Sequence, residues 1–534
     1  MLKLNYSSLH NRADWEKAGI TLPRYDWKEM QEATRNAPTW VHFGSGNIFR
    51  GFIARLQHTL LNEGLVSSGI ITAGTYDHDN IDLIYRPHDC LTILVQLLPD
   101  GSMKKEVVAS IADALKIGPA FPDDTRQLRK LFSSPSLQMV SFTITEKGYA
   151  LRDLQGEFFP DVQADFRSGP ASCSHAMSIV TSMLLERFRT CRTPLALVSM
   201  DNCSHNGDKL RSSILTVAEH WLACGFVPAE FPAWIQENVS FPWSMIDKIT
   251  PRPAEVVEKA LLAAGVSDMA RIVTPKKTFA APFVNAEVPE YLVIEDDFPN
   301  GRPPLEKAGV YFADRNTVNL TEKMKVTTCL YPLHTALAVY GCLLGYTSIA
   351  AEMKDPHLKA LAEGIGFREG LPVVTDPGII RPEDFLREVV EERLPNPFIP
   401  DAPQRIATDT SQKIPIRFGE TIKSYAALGK ADTLELIPLA IAGWLRYLLA
   451  VDDAGKPMAC SADPMLSTLQ EQLASVTLGK PATATQEVLR PILSSKTLFG
   501  CDLYEVHLAD NIRAMLTEML AGPGAVRACL SAHL

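Results

Sequence analysis

The chain has 534 residues, of which 46% are hydrophobic and 21% charged, and its formal net charge is -10. That length exceeds one ordinary core and calls for two or three domains. The acidic balance argues against a nucleic-acid partner and against attraction to an anionic membrane surface. Ten cysteines without a C-x-x-C pair and twelve histidines without H-E-x-x-H give no metal or disulfide pattern, which suits a reducing cytoplasm. Residues 1–17 are charged and lack the apolar stretch of a signal peptide. The uncharged run 335–351 is short for a bilayer and reads as an interior helix, so no membrane partner is expected.

In chain order, Trp40-Val41-His42-Phe43 predicts a strand, followed by Gly44-Ser45-Gly46-Asn47-Ile48-Phe49-Arg50-Gly51 and an amphipathic helix over 52–62. Strand, glycine turn and helix open a dinucleotide-binding unit: the first glycine allows the turn, and the second lets backbone approach a pyrophosphate at the helix N-terminus. Phe49 stands where the third glycine of G-x-G-x-x-G would be. Residues 69–75 predict a second strand, after which Asp77 and Asp79 compete to bind the ribose hydroxyls of NAD. Residues 91–98, 137–145 and 195–199 read as further strands, and 107–115 and 178–188 as helices. The 195–199 strand delivers Asp201-Asn202 at its carboxyl end, where α/β sheets bind ligands.

A cluster of acids, Pro and Gly at 295–304 marks the expected boundary, giving domains 1–298 and 299–534. The first is expected to be α/β with a mostly parallel sheet. Segments 333–353, 355–364, 383–392, 418–427, 433–451, 464–475, 484–493 and 508–521 have helical spacing, so the second is expected to be mostly α-helical. Within it, Lys325, Tyr331 and His334 place three proton-moving side chains in one stretch, as general acid–base chemistry needs.

Several segments together resemble the mannitol dehydrogenase family of polyol-specific long-chain dehydrogenases. They are the Gly44-Ser45-Gly46 turn with Arg50, the run 141–149, Asp201-Asn202 with His205-Asn206-Gly207, Phe241-Pro242, the runs 247–251 and 293–298, the stretch 325–334, and 409–415. The resemblance implies a Rossmann-type first domain, a helical second domain, a site in the cleft between them, NAD (NADP possible) as cofactor, and no metal. It implies Lys325 as general base in alcohol oxidation and general acid in ketone reduction. His334 would orient substrate, Asn202 would hydrogen-bond the reacting oxygen, and Arg405 and Lys413 would bind substrate. Gly44, Gly46, Asn47, Arg50, Asp77 and Asp247 fall on the cofactor side, and Glu322 on the proton path.

Two departures stand out. The family usually has Asn three residues before the histidine, where this chain has Tyr331. The phenol is then a substitute donor, a reshaping of the pocket, or the mark of a weakened enzyme. Lys325 also lies nine residues before His334 rather than the usual eight, which on a straight α-helix puts the two on opposite faces. One inserted residue is what a π-turn absorbs, and Pro332 interrupts the ladder nearby. The stretch 325–333 is therefore expected to be distorted, with regular helix from near Pro332.

The functional expectation is an NAD(P)-dependent oxidoreductase interconverting a keto sugar acid and its hydroxy acid, fructuronate and mannonate first, tagaturonate and altronate next. The alternatives are a mannitol–fructose dehydrogenase, a cofactor- or sugar-binding homologue weakened at Tyr331, and an epimerase that retains NAD. The expected partner is a small sugar acid or polyol, and the expected state a cytoplasmic monomer or small homo-oligomer.

Overall fold

Four consecutive fully buried residues, Trp40–Phe43, form the central strand of a six-stranded parallel sheet. The structure is a computed structural model describing residues 1–153 and 155–534. The strands of this sheet, numbered in chain order, are β1 (Trp40–Phe43), β2 (Ile70–Gly74), β3 (Ile111–Lys116), β4 (Met139–Phe142), β5 (Leu195–Ser199) and β6 (Val239–Ser240). Their spatial order is β3-β2-β1-β4-β5-β6 and every neighbouring pair is parallel. This is the Rossmann arrangement, in which the order reverses between β1 and β4 and ligands bind beyond the carboxyl ends at that point.

Alternate side chains of the strands feed two cores. Val41, Phe43, Val140 and Phe142 pack into one with the helices Ala176–Thr190 and Asn206–Ala223. Trp40, Met139, Ala196 and Val198 pack into the other with Ala54–Asn62. A sheet covered on both faces needs such near-continuous apolar strands, and each large side chain buried contributes about 1.5–3 kcal/mol.

Two expectations are corrected. Residues 107–115 are not helical: Met103–Val108 and Ile111–Lys116 are strands. Val107, Ile111 and Leu115 imitate a helical stripe at four-residue spacing, but sheet pairing with β2 and with Thr92–Leu97 prevails. Thr92–Leu97, in turn, lies outside the parallel sheet, in a three-stranded sheet with Met103–Val108 and Phe283–Glu287.

Beyond the acid-and-proline cluster, Tyr311–Ala313 still pairs with Tyr291–Glu295. The two compact units are residues 1–98 with 102–319, and 320–534 with 99–101. The second is helical. Its helix Leu436–Tyr447 is buried along its whole length. The Glu369 carboxylate accepts the N–H groups of Glu435, Leu436 and Ile437 at 2.6–2.7 Å, satisfying donors that a helix start leaves orphaned. Tyr340 of the helix Tyr331–Leu344 crosses Leu436–Tyr447 at Gly443, where any Cβ would lie 2.7 Å from its ring.

Candidate active site

The carboxyl edge of the parallel sheet is built around the glycine turn. Gly44 has φ +119°, and a Cβ there would sit 2.4 Å from the Thr143 carbonyl oxygen, so no other residue fits. The Ser45 carbonyl accepts from Asn80 Nδ2 (2.6 Å) and the Tyr85 hydroxyl (2.9 Å), which fixes the turn's shape. The following helix starts with a π-turn, Phe49–Ile53. Phe49 stacks on His42 at 4.1 Å, and His42 is held between Ser141 Oγ and Thr143 Oγ1. Burial keeps that imidazole neutral, far below its usual pKa, so His42 is structural. The close-packing glycine is Gly51, two residues late: a Cβ there would lie 2.7 Å from Val284 Cγ1.

At the end of β5, Asp201 accepts the N–H groups of Ile144 and Thr145 and the Tyr149 hydroxyl (2.9, 3.0 and 2.6 Å). Asn206 Nδ2 donates to the carbonyls of Ser199, Asp201 and Ser244 at 3.0–3.3 Å. These two residues clamp the turn on which Asn202 stands exposed. Asp247 ends the strand Ser244–Asp247 and is buried.

In the second unit the distortion expected of 325–333 is present. Lys325–Cys329 is a π-turn closed by Leu330 N–H donating to the Lys325 carbonyl at 3.1 Å. Leu330 breaks the ladder (φ -126°, ψ -59°), and regular helix restarts at Tyr331 with Pro332 in its first turn, where a missing N–H costs nothing. Lys325 is 0% exposed, whereas Lys323 stays at the surface. The Lys325 ammonium lies 5.8 Å from the centroid of the Tyr331 ring, and the Arg417 guanidinium carbon lies 4.6 Å from that same centroid. His334 Nε2 is 3.6 Å from Asp401 Oδ2. Burial, opposed by Asp401 and reinforced by Arg417, Arg393 and Arg405, pulls this imidazole down to about 4, so it is neutral at physiological pH.

Comparison with known proteins gives the family. A profile described as "Mannitol dehydrogenase Rossmann domain" matches residues 38–307, and "Mannitol dehydrogenase C-terminal domain" matches 318–520. The chain belongs to the mannitol dehydrogenase family. It is 50% identical over 533 residues to a D-mannonate oxidoreductase of Thermotoga maritima, covering 99% of this chain and 98% of that one. It is 30% identical to a polyol:NADP oxidoreductase of Gluconobacter oxydans, over 86% and 88% of the two chains. Among solved structures, a substrate-free D-sorbitol dehydrogenase superposes with a TM-score of 0.79 at 26% identity, covering 96% and 98%. The Pseudomonas fluorescens mannitol 2-dehydrogenase ternary complex with NAD and D-mannitol gives 0.69 at 26%, covering 99% of each. Membership makes this chain a secondary-alcohol dehydrogenase that binds NAD(H).

The carboxyl edge fits that cofactor. A Cβ built on Gly46 meets nothing within 4 Å, so backbone there faces open space. After β2, Asp77 is buried with Oδ2 accepting from Thr274 Oγ1 at 2.7 Å, while its Oδ1 has no hydrogen-bond partner. Asp79 is more exposed. Arg50 is interior: its guanidinium donates to the Ala281 carbonyl (2.8 Å) and Asn47 Oδ1 (3.0 Å), so both residues brace the turn.

The expected substrate residues divide. Arg405 is exposed and ion-paired with Asp401. Lys413 donates to the carbonyls of Ile406 (3.1 Å) and Thr408, and burial pulls its pKa down. Cys329 is a buried thiol pushed up to about 12, without nucleophilic character. Sequence reasoning missed Arg417 and Asp401, because only the folded chain brings them to Tyr331 and His334. It also missed one trio of metal-capable groups, Glu518, Cys529 and His533, whose ligand atoms lie within 4.8 Å of one another. There His533 Nε2 pairs with Glu518 at 2.9 Å, and burial with the adjacent Glu518 pushes the thiol up to about 12.

Proposed function

We propose that this dehydrogenase interconverts a keto sugar acid and its hydroxy acid, fructuronate and mannonate first and tagaturonate and altronate next, with Lys325 as acid and base. The observation that carries the reading is the placement of Lys325: a fully buried side chain at the head of a π-turn, its ammonium 5.8 Å from the centre of the Tyr331 ring. The 50% identity to a D-mannonate oxidoreductase supports the choice of substrate.

Bound NAD(H) supplies or accepts the hydride. In the reductive direction negative charge develops on the carbonyl oxygen, so a donor aimed at it lowers the barrier, and Asn202 is assigned that role. Lys325 delivers the proton to that oxygen and recovers it in oxidation. Tyr331 occupies the sequence position of the family's second amide donor, and its hydroxyl is assigned as the replacement. His334, neutral and next to Asp401, orients a substrate hydroxyl. Ten free thiols suit a cytoplasmic setting for this chemistry.

The test is to mix the protein with NADH or NADPH, add fructuronate, tagaturonate or fructose in turn, and follow the nicotinamide absorbance. Turnover of a keto hexuronate above fructose is expected. Preference for fructose would make it a mannitol-type enzyme. Cofactor binding without turnover, restored by Tyr331→Asn, would favour the weakened homologue, a reading that Tyr331 in the amide position keeps alive. Retained NAD with no net redox would point to an epimerase.

A further inference from the structure

Arg417 closes the helix Thr410–Arg417 and is only partly exposed. Its Nη1 donates to Thr335 Oγ1 at 2.8 Å, and its guanidinium lies over the Tyr331 ring. Among the described residues no carboxylate comes within ion-pairing distance of it. Two other cations of this region are already committed, Arg405 to Asp401 and Lys413 to two backbone carbonyls. Burial with no acid at hand pulls Arg417 down to about 10, which still leaves it charged at neutral pH. A desolvated cation without a counter-charge is costly, and a fold keeps one where a ligand supplies the missing anion.

We propose that Arg417 is the receptor for the substrate's carboxylate, held in place by the Tyr331 ring and the Thr335 hydroxyl. Thr335 uses one N–H of the fork, and the remaining donors suit the two oxygens of a carboxylate. Tyr331 thereby has a structural reason to replace an amide, because an aromatic face attracts a guanidinium and an amide lacks one. The same ring neighbours Lys325, so the groups that address the acid end and the reacting end of a six-carbon chain both pack against one residue. Arg417 is thus the specificity determinant for acids over neutral polyols, an inference that rests on the sugar-acid reading above.

The experiment measures binding of mannonate and of mannitol to the NADH-loaded enzyme by nicotinamide fluorescence, for wild type, Arg417→Met, Arg417→Lys and Arg405→Met. Arg417→Met should weaken mannonate about a hundredfold and bring it to the affinity of mannitol, with Arg417→Lys recovering part of the loss. Arg405→Met should cost less than Arg417→Met. Unchanged NADH binding and a melting temperature no lower than that of wild type certify that each variant is folded; should Arg417→Met not fold, the Arg417→Lys and Arg405→Met pair decides. Mannonate held by Arg417→Met as tightly as by wild type, or a larger loss in Arg405→Met, overturns the assignment. A wild type that prefers mannitol to mannonate overturns the sugar-acid reading itself, a result distinguishable from either.

Discussion

Tyr331→Phe and Tyr331→Leu separate the two duties assigned to this side chain. The ring lies 4.6 Å from the Arg417 guanidinium and 5.8 Å from the Lys325 ammonium, both inside the range of a cation–π contact. Such contacts are worth about 0.5–2 kcal/mol each, with the upper end reached where water is excluded. Phe keeps both and removes only the hydroxyl; Leu removes all three. The loss of one donor to a developing oxyanion costs roughly 10²–10³ in kcat. Tyr331→Phe should therefore lower kcat for keto-acid reduction by that amount with KM within a few-fold of wild type. Tyr331→Leu should add a KM increase of about tenfold as Arg417 loses its support. The assay is steady-state NADH oxidation against each substrate. Equal kinetics for Phe and Leu would refute the ring's role, and a Phe variant as fast as wild type would refute the donor.

Asp77→Ser removes the acid expected to meet the ribose hydroxyls and should shift kcat/KM toward NADPH by about tenfold or more, read by paired cofactor titrations. Gly51→Ala drives a Cβ to 2.7 Å from Val284 Cγ1 and should cost about 1–3 kcal/mol in denaturant unfolding, with weaker NADH binding. Glu352 is buried with both carboxylate oxygens unpartnered, and burial, aided by Asp355, raises it to about 9. The folded chain holds that proton more tightly than the unfolded chain does, so the stability it gives is full below about 4.5 and declines as pH rises to about 9. Glu352→Gln should flatten the fall of melting temperature between pH 6 and 9. His334, held near 4, acts in the opposite range: the unfolded chain binds the extra proton between about 4 and 6.5, so stability falls as pH drops through that window. His334→Gln should remove part of that acid sensitivity in the same melting series.

Local patterns were legible wherever neighbours in sequence decide the structure. The glycine turn after Trp40–Phe43, the strand Leu195–Ser199 and the buried helix around Leu436–Tyr447 follow from β-rich or apolar runs bounded by turn residues. The π-turn at Lys325 was legible because a nine-residue spacing beside Pro332 does not fit an unbroken α-helix. Where distant chain decides, the pattern failed. Val107, Ile111 and Leu115 show helical spacing, yet pairing with Thr92–Leu97 and β2 makes two strands. Gly51 does the packing expected three residues after Gly46, because the π-turn moves the contact to Val284. Arg417 and Asp401 carry no local signal at all; they gain meaning only when Tyr331 and His334 lie beside them.

The central claim is that Lys325 moves the proton in reduction of a keto sugar acid. It is tested most directly by single-turnover oxidation of bound NADH on mixing with fructuronate, wild type against Lys325→Ala. The account predicts a loss of about 10²–10⁴ in rate with NADH affinity preserved, and partial recovery on adding a small primary amine. A Lys325→Ala variant that reduces fructuronate at the wild-type rate would contradict it.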